Sequence, residues 1–576
     1  MGTVFSCSST ATGGRSGERP GPRSSAVVRL GPRARRLGAS SASGAVSPPV
    51  STLRECALWA LASSLESRSA AELASLPLDL SQELLDLVIE GGFLDEEVVA
   101  KLAGIEFYAV CLGRSASRVS ESWLATLASE RLLELDLARS GISPSGLPAL
   151  PNLRTANLSG CNIDDGELEW LAGCKSLVSL SLADTSVGPL AVERLSRCTA
   201  LRELDLSKCR RLRHLAPLST LRELRRLSLA CCPRVNDADM GALAMLPELR
   251  ELDLSAVGVT GAGLDALAGA VALETLRLDG TVVADDRVAP LLARLGELRR
   301  LSLSRCFGVA DGSARAAAAY LPRLEELDLG RTRVGNAGLR ALAGAKSLRV
   351  LRLESCQRIS DKGVEALRGL ASLEALDLDD CRITSDCVPA LVAMPSLQRL
   401  SLAYADLDDV QTVALARCAT LRSLSLDSRG VGDATVRAIA TLPGLRALDL
   451  FGAAVTDAAC AALGAAPALA KLEICSGAIT SAGVERLCRA TSLVELSVAN
   501  NPLVGDAAVR HLLKLQNLRS LNLSGCSVST SAVLLLASLP NLETVALNGT
   551  RVRASAAESL ARINPRLHVK GLATRR

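Results

Sequence analysis

The sequence predicts an α/β solenoid, a horseshoe in which short parallel strands line the concave face and helices cover the convex one. Three observations carry that expectation. A set of apolar positions recurs mostly every 24 or 25 residues over the 576-residue chain, from Phe107, Leu132 and Leu153 through Leu348 and Leu373 to Leu542, nineteen positions in all. Inside each unit the apolar period changes from two to about 3.6: Leu351 and Leu353 alternate along a short strand after Leu348, and Ile359, Val364 and Leu367 suit the helix that follows. Phe, Tyr and Trp supply only 2% of the residues, so the interior must consist of thin layers of Leu, Val and Ala. One coil buries too few side chains to offset the entropy of ordering its backbone, so the coils must stack in order to fold.

Taken in order, residues 1–52 read as a disordered basic tail. Arg15, Arg19, Arg23, Arg29, Arg33, Arg35 and Arg36 stand against one acid, Glu18, which gives this stretch +6 and leaves about −2 of the formal +4 for the rest. The repeats are therefore close to neutral, and the basic balance is no argument for nucleic acid. Met1-Gly2-Thr3-Val4-Phe5-Ser6-Cys7 fits N-myristoylation at Gly2, with Ser6 as the required small hydroxyl. One acyl chain anchors only marginally, and Cys7 as a palmitate acceptor, or the arginines against anionic lipid, would supply a second signal. An Arg- and Ser-rich, acid-poor leader also fits an organelle transit peptide or a plain tail.

Residues 53–104 read as a helical cap. Leu53 to Leu73 and Ser81 to Ile89 have helical periodicity, with Leu53, Ala57, Ala60, Leu61 and Leu65 on one face and Leu84, Leu85 and Val88 on another. Such a segment would cover the open core of the first coil. Residues 105–565 hold the nineteen coils. Residues 566–576, with Leu567, Val569, Lys570, Arg575 and Arg576, read as a polar closing tail.

Eighteen cysteines do not signal a disulfide framework, because their positions follow the repeat. Cys161, Cys209, Cys232, Cys306, Cys356, Cys381 and Cys526 each fall three residues after the last strand leucine, where a small buried thiol can meet turn backbone. Cys174, Cys198 and Cys418 precede the next strand by equivalent offsets. The pattern implies structural thiols in a reducing compartment, and no CxxC pair or His/Cys cluster points to a metal or other cofactor. Turns such as ISDKG (359–363), VNDAD (235–239) and VTDAA (455–459) offer Ser, Thr or Asp as helix caps. One coil departs from the pattern: RRLRHLAPLST (210–220) puts Pro217 where a helix is due. With Lys208 it gathers Arg210, Arg211, Arg213 and His214, which predicts a local bend with a basic knob.

On Leu76-Pro77-x-Asp79-x-Ser81-Gln82, Leu448-Asp449-Leu450-Phe451-Gly452, Leu472-Glu473-Ile474-Cys475 and the Met-Gly start with a nearby cysteine, the chain resembles F-box and leucine-rich repeat proteins. These have cysteine-containing, ribonuclease-inhibitor-like repeats, and the likeness is to a plant and green-algal subfamily. It covers about residue 53 to the end. The resemblance implies a leucine-rich repeat horseshoe that serves as substrate receptor of a Skp–cullin–F-box ubiquitin ligase in protein catabolism. It implies too that Leu76, Pro77, Leu84, Leu85 and Val88 contact a Skp-type adaptor. Only the first helix of an F-box is matched, so residues 53–104 fit an F-box-like remnant and a plain cap equally.

In a parallel solenoid the residues flanking the central strand leucine face the hollow. In those columns acids outnumber bases about sixteen to six. Arg154, Arg202, Arg225, Arg250, Arg299, Arg349, Arg422, Arg446 and Arg519 recur one step after the first strand leucine and predict a basic edge. An acidic hollow repels phosphate backbones, which argues against nucleic acid. It would steer a basic segment of a protein partner onto Asp205, Asp253, Glu326, Asp328, Asp377 and Asp449. The same charges also serve simply to keep the sheet soluble. Catalysis has little support: His214, His511 and His568 lie in distant coils, no Gly-rich phosphate loop occurs, and Asp164-Asp165 sits at a helix start, where capping accounts for it. The function read from the sequence is a non-enzymatic, cytoplasmic protein-interaction scaffold. The alternative is a lipid-anchored scaffold at the cytoplasmic membrane face, without a ubiquitin role.

Overall fold

The computed structural model describes residues 58–571, apart from 59, 63, 66, 67, 114–120, 146 and 565; Gly2, Cys7 and the basic tail lie outside the described residues. Among the described residues, twenty three-residue strands run from β1 (Ala109–Cys111) to β20 (His568–Lys570) in one sheet. Each pairs in parallel with its neighbours in sequence, as β10 (Glu326–Asp328) does with β9 (Arg300–Ser302) and β11 (Val350–Arg352). The register sets Leu301, Leu327 and Leu351 side by side, all buried, with the flanking residues, apart from buried Val350, partly open to solvent. A slip of one residue would turn every such leucine outward, and this fixes the register. The sequence predicts nineteen coils and a polar tail; in the structure β20 pairs with β19 (Thr544–Ala546), and Leu567 is buried. The alternation of Leu567 and Val569 is a strand signal that a count of whole strand-turn-helix units misses.

Beyond the helical residues 60–62, the described residues before the sheet form α1 (Ala70–Ala74), α2 (Leu78–Glu90) and α3 (Glu96–Lys101). The expected single helix over 53–73 is interrupted, because Ser69 and Glu72 form a reciprocal capping box that starts α1 afresh. Before α2 the buried side chains are Leu58, Ala62, Leu65 and Leu73, whereas Ala60 is exposed and Leu61 half-buried; Leu53 and Ala57 of the expected face lie outside the described residues. Helix α2 closes the sheet edge through Gln82, whose side chain accepts from the N–H groups of Tyr108 (3.1 Å) and Ala109 (3.0 Å) and donates to the Ala109 carbonyl (2.8 Å). Leu84, Leu85 and Val88 are at most 1% exposed in the core beneath it. An adaptor contact through those three is therefore corrected: only Pro77, exposed, and Leu76, half-buried, remain accessible from that set.

Two side-chain ladders lock coil to coil. The first is the cysteine column: Cys209, Cys306, Cys356 and Cys381 donate to the carbonyls of Leu182, Leu278, Leu329 and Leu353, each the last strand leucine of the preceding coil, at 3.0–3.2 Å. Buried Asn501 does the same to Ile474 (2.8 Å), while Thr281 and Thr332 bond the leucine carbonyl of their own coil. The described cysteines are free thiols.

The second ladder corrects the expected role of the turn aspartates. Asp237, Asp311, Asp361, Asp433, Asp457 and Asp506 accept the N–H at the helix start of the next coil, from Thr260, Gly335, Thr384, Thr456, Thr480 and Ser529, at 2.7–2.9 Å. Thr260, Thr456 and Thr480 then cap their own helices. The glycine ending ISDKG follows from this: a Cβ on Gly363 would lie 2.4 Å from Oδ1 of Asn336, which fills the aspartate position one coil earlier. In the irregular coil a short 3-10 turn over Ala216–Thr220 replaces the helix, with Leu212, Leu215 and Leu218 still buried, as Pro217 predicts.

Candidate functional site

The concave sheet places Asp205, Asp253, Asp328, Asp377 and Asp449 in one column, all half-buried, with Glu326 in the column beside them. Each of the five aspartates also holds its own turn, accepting the N–H two residues on, from Ser207, Ser255, Gly330, Asp379 and Phe451, at 2.9–3.2 Å. This local bond explains why Asp, Asn and Ser recur there, and the sequence reading did not include it. On the outward-facing strand positions among the described residues, twelve acids stand against seven Lys and Arg. The next row adds Asp279, Glu354, Asp379 and Asp427. Four of the bases pair with concave glutamates: Arg226 with Glu203, Arg300 with Glu251 (3.7 Å), Arg352 with Glu326 (3.9 Å) and Lys471 with Glu495 (2.8 Å). Burial raises the pKa of Asp279, and the charges of Asp328 and then Asp253 push the same way, against hydrogen bonds from Ser302 and Ser304. The field in the hollow is thus negative where the carboxylates crowd.

The predicted basic edge is largely cancelled. Arg202, Arg225, Arg250, Arg299, Arg349 and Arg519 pair with Glu223, Glu248, Glu274, Glu325, Glu374 and Glu543 of the following coils, at 2.6–3.7 Å. These exposed pairs contribute little to stability, but they neutralise six of the nine arginines expected on that edge.

The basic surface lies on the opposite rim, in the turns that leave each strand. Lys208, Arg210, Arg211, Arg213, His214 and Arg234 crowd one stretch, and Arg305, Arg331, Arg333 and Arg358 another. Lys208, Arg210 and Arg211, with Asp184, line a shallow depression of about 320 Å³, and Arg305, Arg331, Arg333 and Arg358 line one of about 590 Å³. The residue two past the last strand leucine takes left-handed backbone there, with φ +62° at Lys208, +60° at Arg305 and +58° at Arg331. Gly160, Gly280 and Gly452 fill the same position in other coils without the Cβ cost. Sequence reading found the first basic stretch as one segment, but the second is spread over three coils and emerges only when they are stacked.

A family model described as "Leucine-rich repeat region" matches residues 213–482, and one described as "Leucine Rich repeat" matches residues 514–537. The chain is a leucine-rich repeat protein. A protein from Trypanosoma equiperdum named "Putative adenylate cyclase regulatory protein" is 29% identical over 150 residues, 25% of this chain and 24% of that one, so this chain matches about a quarter of its curated relative's length. Among solved structures it is similar to a leucine-rich repeat protein of Leptospira interrogans, at 20% identity and TM-score 0.39 over 76% of this chain and 95% of that one. It is also similar to TLR13 in a complex with ssRNA13, at 18% identity and TM-score 0.49 over 82% and 80%.

Proposed function

We propose that this leucine-rich repeat protein is a non-enzymatic interaction scaffold whose concave face receives a basic segment of a protein partner. The observation that carries the reading is the half-buried aspartate column in a hollow where acids exceed bases by sixteen to seven. A negative concavity focuses its field, attracts Lys- and Arg-rich chain and repels phosphate backbones. Contact centres on Asp253, Glu326, Asp328 and Asp377, with Asp205 and Asp449 extending it along the column. The test is a fluorescent Lys/Arg-rich peptide titrated onto wild type and onto the Asp253→Asn, Asp328→Asn, Asp377→Asn triple variant at two salt concentrations. Weaker binding and a shallower salt dependence in the variant are expected; identical curves overturn the reading.

Two finer readings attach to this scaffold. As substrate receptor of a Skp–cullin ubiquitin ligase, it would meet the adaptor through Leu76 and Pro77 at the start of α2, since Leu84, Leu85 and Val88 are committed to the core. Loss of adaptor capture in Pro77→Asp would support that role, and no capture by wild type would end it. As a lipid-anchored scaffold at the cytoplasmic membrane face, it would depend on Gly2 and Cys7, and myristate labelling abolished by Gly2→Ala is the expected result. Among the described residues no helix is long and apolar enough to cross a membrane.

A further inference from the structure

We infer that the rim pocket built by the turns after β9, β10 and β11 binds a phosphorylated segment of a partner protein, at a site separate from the acidic hollow. Arg305, Arg331, Arg333 and Arg358 line it, with Phe307 and Ser355 between them. Arg331 pairs with Glu354 at 2.8 Å. Among the described residues no carboxylate forms an ion pair with Arg305, Arg333 or Arg358, in contrast to the matched arginines of the opposite edge. Three exposed arginines on three successive coils, whose strands lie roughly 5 Å apart, repel one another until an anion joins them. A tetrahedral dianion suits this set, because each guanidinium can offer two parallel N–H donors to phosphate oxygens.

Arg305 and Arg331 occupy the left-handed turn position that Lys208, Tyr404 and Asn500 fill in other coils, and this backbone sets both side chains on the rim. Phe307 is 72% exposed beside them and offers an apolar platform for a residue flanking the phosphate. The patch spans only three coils. Asp279 adjoins it on one side, Asp379 and Asp380 on the other, and the acidic hollow lies beneath. A single phosphate on a short peptide fits between these carboxylates, whereas a continuous phosphodiester chain leaving the patch would run over them.

The experiment uses the full chain and fluorescent degenerate peptide libraries with a central phosphoserine, serine or glutamate, alongside a single-stranded RNA oligonucleotide. The phosphoserine library is expected to bind at least about tenfold more tightly than the serine library, and Arg333→Ala and Arg358→Ala each to remove most of that difference. Arg399→Ala, at an exposed concave position, is expected to leave it intact, as is the concave aspartate triple variant, so this site and the hollow can fail separately. Arg358→Lys, which keeps the charge but loses the bidentate geometry, should weaken binding even if the alanine variants alter melting. Equal retention of the phosphoserine and serine libraries, undiminished binding by the Arg333 and Arg358 variants, or tighter binding of the RNA through the same arginines would each overturn the assignment.

Discussion

Replacing Asp285 by alanine should cut the array at one joint. Its carboxylate accepts from the next coil at four atoms: the N–H of Ala310 (2.8 Å), of Gly312 (2.8 Å) and of Ser313 (3.0 Å), and the Ser313 hydroxyl (2.6 Å). Water can replace the carboxylate at the half-exposed Ala310 and Gly312 but not at Ser313, which is 1% exposed. The loss is then the acceptor for the helix-start N–H groups, about 0.5–2 kcal/mol, plus the buried Ser313 hydroxyl left without its partner, about 1–3 kcal/mol, so roughly 1.5–5 kcal/mol in total. Because a solenoid's stability is a sum of coil and interface terms, the damage should stay local. Urea unfolding at unchanged slope gives the magnitude, and hydrogen exchange across residues 285–320 gives the place. Asp286→Ala is the control, since Asp286 is exposed and makes only a 3.4 Å pair with Arg287; it should change stability by no more than about 0.5 kcal/mol. If the two variants unfold alike, or if protection falls evenly along the array, the inter-coil role of Asp285 is refuted.

Three further outcomes follow from the same structure. Asp86 is raised to about 6 by burial, and then by the charges of Glu90, Glu134 and Glu83, against a hydrogen bond from Gln82. Its folded value lies above the ordinary unfolded value near 3.9, so the cap gains stability as pH falls from above 6 towards 4 and loses it as pH rises back. After correction for intrinsic rates, α2 amides should exchange more slowly at pH 5 than at pH 7 in wild type and show no such difference in Asp86→Asn; no difference in wild type counts against the account. Asp506 is held below the usual carboxylate range by the hydroxyl and N–H of Ser529, so its stabilisation is present above about pH 4 and vanishes as pH falls through the lowered value. Denaturation across pH 4 to 2 should therefore show a flatter acid limb in Asp506→Asn, and parallel limbs would contradict this. Cys111 and Cys231 are both exposed, but burial of the Cys111 thiol, with Glu134, Asp136 and Asp86 adding to it, pushes its pKa up to about 12. Iodoacetamide at pH 8 should thus modify Cys231 well before Cys111 by peptide mass spectrometry, and equal rates would refute the shift.

The strand and helix periods were legible because each coil repeats them, and repetition averages away local ambiguity. What a single line of sequence hides is the partner across the coil boundary. Asp361 lies one residue inside a helix and looks like a cap for that helix, yet it bonds Thr384, 23 residues on. Arg349 looks like part of a bare basic edge, yet its Nε and Nη2 both donate to one carboxylate oxygen of Glu374, 25 residues on. Leu84 and Val88 suit an adaptor surface as well as a core face, because amphipathic spacing states that a face is buried without stating against what. In the rim pocket no two of its arginines other than Arg331 and Arg333 lie within 24 residues of one another, so charge counted along the chain never shows it.

Repetition also separates scaffold from function in this fold. A residue type that returns at the same position in many coils is explained by what each coil needs: leucine for the layer, aspartate for the next helix start, cysteine or threonine for the strand-end carbonyl. Only departures from that set require another cause, and the arginines at 305, 331, 333 and 358 are such a departure. The concave aspartates belong to both groups, since each carboxylate holds a turn with one oxygen while it contributes charge to the hollow. Alanine at Asp253 would remove both roles together, and a loss of binding would not distinguish a missing charge from a loosened turn. Asparagine keeps an oxygen to accept the Ser255 N–H, as Asn157 and Asn522 do for Ser159 and Ser524, and deletes only the charge. Binding lost in the asparagine variant therefore belongs to electrostatics, and binding lost only in the alanine variant belongs to the turn.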